Sequence, residues 1–168
     1  MNSTVIGNTV RFILLLILQV LIFSQFDLFG FINPYPYVLF ILLYPVNGNQ
    51  SGLLLASFFM GLSLDFFNNS GGVNAAACVI LAQCRPALFK FSFGLSYEYQ
   101  TVKINDELTP ERFIFILLAI LIHHTVLFSL EIFNMGSILD ILLRVACSTV
   151  FTLVTCLLII YLIRPAKR

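Results

Sequence analysis

ILDILLRVACSTVFTLVTCLLIIYLI, residues 138–163, is the stretch that decides the fold. It exceeds the roughly 20 apolar residues that a helix needs to cross a hydrocarbon core, and its only charges are Asp140 and Arg144. Similar runs recur upstream at 10–26, 31–46, 52–67, 73–93 and 113–130. The expected architecture is therefore an all-α membrane protein, a six-transmembrane-helix bundle forming one domain over 1–168. Its second run, 31–46, opens with Pro34 and Pro36 and closes with Pro45. At 1.5 Å per residue it reaches only about 24 Å. A thin, kinked or protein-buried crossing is expected there.

Composition agrees with the runs. The chain is 60% apolar and 10% charged, against about 25% charged in soluble domains. Its mean hydropathy is +0.99, so a water-facing surface cannot be assembled from it. A net charge of +1 excludes a strongly basic nucleic-acid binder. Cys78, Cys84, Cys147 and Cys156 lie in apolar runs without a CxxC spacing. They read as small buried hydrophobes, with no disulfide framework or zinc site. The first run lacks a small-x-small cleavage pattern and is expected to remain as a span.

Charge then orients the spans. With six crossings, Arg11, Arg85, Lys90, Lys103, Arg112, Arg164, Lys167 and Arg168 share one side. The three short loops on the other side, around Asp27, Asn68 and Glu131, hold no Lys or Arg. This positive-inside pattern predicts cytoplasmic termini and a cytoplasmic loop over 85–112, with the membrane part of the fourth span ending near Cys84. Thr109-Pro110-Glu111 closes that loop with a helix-start signal.

Few polar groups remain at membrane depth, where an ionisable side chain needs a partner or a task. Ser57, Gly61 and Asp65 recur every four residues, a small-residue seam ending in a carboxylate. Asn68-Asn69-Ser70-Gly71-Gly72 reads as a turn, and Ala75–Cys78 offers another small-residue surface. On the sixth span Asp140, Arg144, Ser148 and Thr152 form a polar stripe, with Asp140 and Arg144 spaced to pair. Matched depth suggests that Asp65 also meets Arg144, cross-linking spans three and six. A packing ion pair is favoured over a proton or ion pathway, because the inner half of the membrane offers no relay of acids or histidines.

His123 and His124 point about 100° apart on span five and cannot chelate one metal from a common face. Interhelical hydrogen bonding is expected of them; with Glu131, at an interface position, they are also candidate partner contacts. No GxSxG, HExxH, phosphate loop or acid/base carboxylate pair occurs, so no catalytic, cofactor or metal site is expected.

Gly61-Leu62-Ser63-Leu64-Asp65 followed by Gly71-Gly72 resembles the Gly-Leu-x-x-Asp and glycine turn of the rod shape-determining MreD family of bacterial cell-wall elongation. The Pro34-Tyr35-Pro36-Tyr37 opening of a short second span, and His123-His124 followed by Glu131, are similar to that family too. The resemblance covers most of the chain. It implies a non-enzymatic scaffold in the bacterial inner membrane. The implied partners are an MreC-like bitopic protein, a RodA-type glycosyltransferase with a class B penicillin-binding protein, and indirectly MreB filaments. It also implies a fold similar to the substrate-binding component of energy-coupling-factor transporters. The rival expectation is a vitamin-like small-molecule binding component or small transporter, which needs an enclosed polar pocket. Few hydrogen-bonding residues are available for one: Asn68, Asn69, Asn74, Ser137 and the charged trio.

Overall fold

The computed structural model describes residues 2–26, 33–94, 108–132 and 138–163, with side chains from Val5 onward. Helix α1 (Asn2–Leu21) continues into a short 3-10 turn, Phe23–Gln25. It is followed by α2 (Val38–Leu42), α3 (Gln50–Asn68), α4 (Val73–Phe93), α5 (Pro110–Ile132) and α6 (Ile138–Ile163). All regular structure among the described residues is helical. The segment around α1 and helices α3, α4, α5 and α6 are long and apolar enough to cross a membrane. The helical first element begins at Asn2, upstream of the expected Val10 boundary.

The second pass departs most from expectation. Among the described residues of that run, 33–46 form no membrane-length helix. The helix among these described residues is the five-residue α2, buried at every position. Gln19 Nε2 of α1 donates to the Pro34 carbonyl at 3.2 Å, and Arg11 donates to the Leu43 carbonyl at 2.9 Å. Along α1 those donors stand about 12 Å apart, so residues 34–43 run antiparallel to it. Tyr37 meets Asn74 near the start of α4, and Leu42 meets Arg85 further along. The short pass is thus parallel to α4. Antiparallel packing of α3 on α4, α4 on α5 and α5 on α6 completes an alternating bundle. Asn2, Phe93, Pro110 and Ile163 share one end, called here the basic end. The α3–α4 turn marks the other.

Burial separates the helices. Only 11% of the most apolar window in the first is buried, against 44% in α5. Helix α5 is central and α1 peripheral. Leu139, Leu158 and Leu162 of α6, like Val5, Ile6 and Leu21 of α1, are exposed and suit lipid contact. The core is filled by α2 with Met60, Leu64, Leu81, Phe115 and Ile116.

The fourth helix has the bounds of the expected run, Val73–Phe93. Pro86 lies inside it, and residues 85–93 of the expected cytoplasmic loop 85–112 are helical. Proline lacks the N–H that would bond the carbonyl four residues earlier. Gln50 Nε2 donates to that carbonyl, Ala82 O, at 2.9 Å instead. A side chain from α3 thus repairs the ladder of α4. The remaining loop calls, 95–107 and 133–137 with Asp27 and the basic Arg164–Arg168, lie outside the described residues.

Candidate functional site

Asp65 stands on the last turn of α3, where Asn69 adopts φ 53° and Gly71 and Gly72 adopt φ 67° and 97°. Those left-handed residues turn the chain sharply enough to bring the start of α4 over the carboxylate. Asp65 Oδ1 accepts from Ser70 Oγ at 2.5 Å, and from the backbone N and Nδ2 of Asn74, each at 3.0 Å. Its Oδ2 accepts from Ala75 N at 2.8 Å. The N-cap of α4, Gly72, has no side chain to offer. Asp65 therefore caps α4 from the neighbouring helix, with its charge at the positive dipole end.

Close approach makes the cap possible. A methyl group added at Gly61 would overlap the Ala75 backbone and lie 2.5 Å from Asn74 O. Ser57, one turn earlier, is fully buried, and its hydroxyl has no partner. The stripe Ser57, Gly61 and Asp65 thus lies against α4. The expected Asp65–Arg144 bridge does not form. Amide and hydroxyl donors of its own hairpin surround the carboxylate, leaving no need for a distant cation. Asp140 is exposed and Arg144 half-buried, and no ion pair joins them among the described residues.

Asn74 passes the network on. The Tyr37 hydroxyl donates to Asn74 Oδ1 at 3.0 Å and lies 3.0 Å from His123 Nε2. Because that hydroxyl proton is directed to Asn74, the network assigns the ring proton of His123 to Nε2. Its Nδ1 is left buried without a partner. His124 turns to α6. Tyr35 N donates to Thr152 Oγ1 at 3.0 Å, Thr152 Oγ1 lies 3.4 Å from His124 Nε2, and His124 Nδ1 lies 3.1 Å from Thr149 Oγ1. The adjacent histidines bind different elements, and both are fully buried, so neither is exposed for the partner contact expected of them.

Arg85 and Gln19 escaped the sequence reading as functional positions. Arg85 is 4% exposed and donates to the carbonyls of Leu42 and Tyr44, with its guanidinium 4.7 Å from the Phe89 ring centroid. With Arg11 on Leu43 O, two cations answer three carbonyls where the short pass ends. Gln19, 2% exposed, does the same for Pro34. The available signal was a second run too short to span. Such a segment needs side chains to satisfy its backbone inside a membrane.

At the turn end lies a cavity of about 720 Å³, bordered by Gln19, Asn33, Tyr35, Asn68, Leu127 and Glu131 among others. Glu131 is exposed on the last turn of α5. No group of three or more potential metal ligands occurs among the described residues. No family model, curated protein or solved structure matches the chain.

Proposed function

We propose that this chain is a non-enzymatic membrane scaffold of bacterial cell-wall elongation, of the MreD type, in the cytoplasmic membrane with both termini cytoplasmic. The supporting observation is the fate of the intramembrane polar groups. Asp65, Asn74, His123 and His124 are engaged with one another, with the short pass or with α6. Among the described residues no carboxylate pair is left for acid/base work, and no relay of acids continues toward the basic end. A fixed bundle with apolar outer faces suits partner helices that dock by packing. The proposed partners are an MreC-like bitopic protein, through it a RodA-type glycosyltransferase and a class B penicillin-binding protein, and MreB filaments indirectly. The motif order from Pro34 to Gly72 supports the assignment to this family, and lysine and arginine at the basic end support the orientation.

The second reading, a vitamin-like small-molecule binding component of a transporter, is favoured by the cavity at the turn end. Affinity purification from the native membrane in mild detergent separates the two. The scaffold reading predicts co-purification of a one-span protein with a coiled coil and a β-rich periplasmic domain. Absence of that partner, with a transport subunit recovered in its place, would overturn it.

A further inference from the structure

A groove of about 210 Å³ runs between the first halves of α1 and α3, on the side of the basic end. Asn8 and Phe12 of α1 line it, with Gly52 and Ala56 of α3 and Phe40 and Tyr44 of the short pass. Its volume is below that of a pocket enclosing a drug-sized ligand, and suits a flexible chain lying along it. All three elements grade the groove alike. Asn8 stands one turn nearer the basic end than Phe12, Tyr44 nearer than Phe40, and Gly52 nearer than Ala56. The end toward the headgroups is therefore polar and the deeper part apolar, where the Phe12 and Phe40 rings meet edge to face at 5.3 Å.

Every free group at the polar end is a donor. The Tyr44 hydroxyl lies 3.4 Å from where a methyl group on Gly52 would sit, in the first turn of α3, and bonds no described residue. Asn8 Oδ1 accepts from Arg11 Nη1 at 3.4 Å, which leaves the Asn8 amide nitrogen as a donor. Arg11 Nη1 also donates to the Leu43 carbonyl, beside Tyr44, while its other nitrogens bond no described residue. None of these donors is sealed inside the protein. The lining holds no Asp or Glu, and Arg11 bonds a neutral amide and a backbone carbonyl. Its charge is left for an outside anion. We propose that this groove holds one anionic glycerophospholipid, its phosphate against Arg11, Asn8 and the Tyr44 hydroxyl, and the start of an acyl chain against Phe12, Phe40 and Ala56. The lipid braces peripheral α1 against α3. A free phosphate would leave the apolar half of the groove unused. The site stands apart from the scaffold reading, and its failure would leave partner recovery unaffected.

Phosphatidylglycerol and phosphatidylcholine carrying the same photoactivatable acyl chain test the assignment. Each is incorporated at equal amount into nanodiscs holding one full chain, and adducts are mapped by peptide mass spectrometry. Labelling near Phe12 and Ala56 is expected to be about fivefold higher from phosphatidylglycerol, the preference that one cation gives near the membrane surface. At Val150 and Val154, exposed on α6, the two lipids should label equally. Arg11→Gln should remove the difference between the lipids, and Gly52→Leu, by filling the groove, should cut labelling there from both severalfold. Tyr44→Phe keeps the ring beside Phe40 and should lower phosphatidylglycerol labelling about threefold. It leaves the Arg11–Leu43 bond in place, so it decides the matter should Arg11→Gln fail to fold. Equal labelling of the groove by both lipids, the same excess at Val150 and Val154, or labelling unchanged in the folded variants would overturn the proposal. So would loss of groove labelling in discs holding two chains, which would assign the groove to a second copy.

Discussion

The α3–α4 hairpin and the short second pass solve the same problem in opposite ways. Both contain irregular backbone, and both satisfy part of its polar groups with side chains of the protein. In the hairpin, the groups lie close in sequence: Asp65 answers Ser70, Asn74 and Ala75 within ten residues of itself. In the second pass they are answered from afar, by Gln19 and Arg11 of α1, Arg85 of α4 and Thr152 of α6. A local solution holds two helices together. The distributed one ties together three long helices around a segment too short to span alone. Around the short pass, Arg11, Gln19, Arg85 and Thr152 thus serve as partners for backbone.

Substitutions can break this contrast. The largest effect is expected at Asp65→Leu, which leaves the start of α4 uncapped and strands Asn74 and Ala75 N–H groups. About 4 kcal/mol should be lost, given about 1–3 kcal/mol per stranded buried group. Reversible unfolding in mixed micelles would measure it. Reversing Asp65 and Arg144 together should not restore that loss, because the two do not meet. At the second pass, Arg85→Met should cost about 3 kcal/mol by the same reasoning. Its effect should also loosen α2, read as faster amide exchange at Leu42–Tyr44. A smaller loss, about 2 kcal/mol from overpacking, is expected for Gly61→Val, accompanied by separation of α3 from α4. Spin labels on the two helices would register that separation as a longer distance.

How legible these regions were in the sequence follows from the same contrast. The hairpin could be read, since Ser57, Gly61 and Asp65 recur at helical spacing and Asn69-Ser70-Gly71-Gly72 announce the turn. What its carboxylate bonds could not be read, because capping by a residue of the preceding helix leaves no spacing signature. Matched depth suggested Arg144, a weaker argument than the four donors already at hand. The second pass was legible only as an anomaly of length. Arg85 entered as a topology marker, since a lysine or arginine near a span end ordinarily meets headgroups. Its burial depends on where carbonyls of another segment end, a purely tertiary fact. His123 and His124 were readable as hydrogen-bonding residues from their angular offset. Their partners, Tyr37 and Thr149, were not, being set by the register of α2 and α6.

Gln50 and Pro86 offer the most direct test of the claim that intramembrane polar side chains answer backbone groups. Gln50 bonds the Ala82 carbonyl that Pro86 leaves without its helical donor. A double-mutant cycle of Gln50→Leu and Pro86→Ala, measured by reversible unfolding, isolates that relation. Pro86→Ala restores the missing N–H, so Gln50→Leu should cost about 1 kcal/mol with proline present and nearly nothing with alanine. An equal cost of Gln50→Leu in both backgrounds would contradict the account.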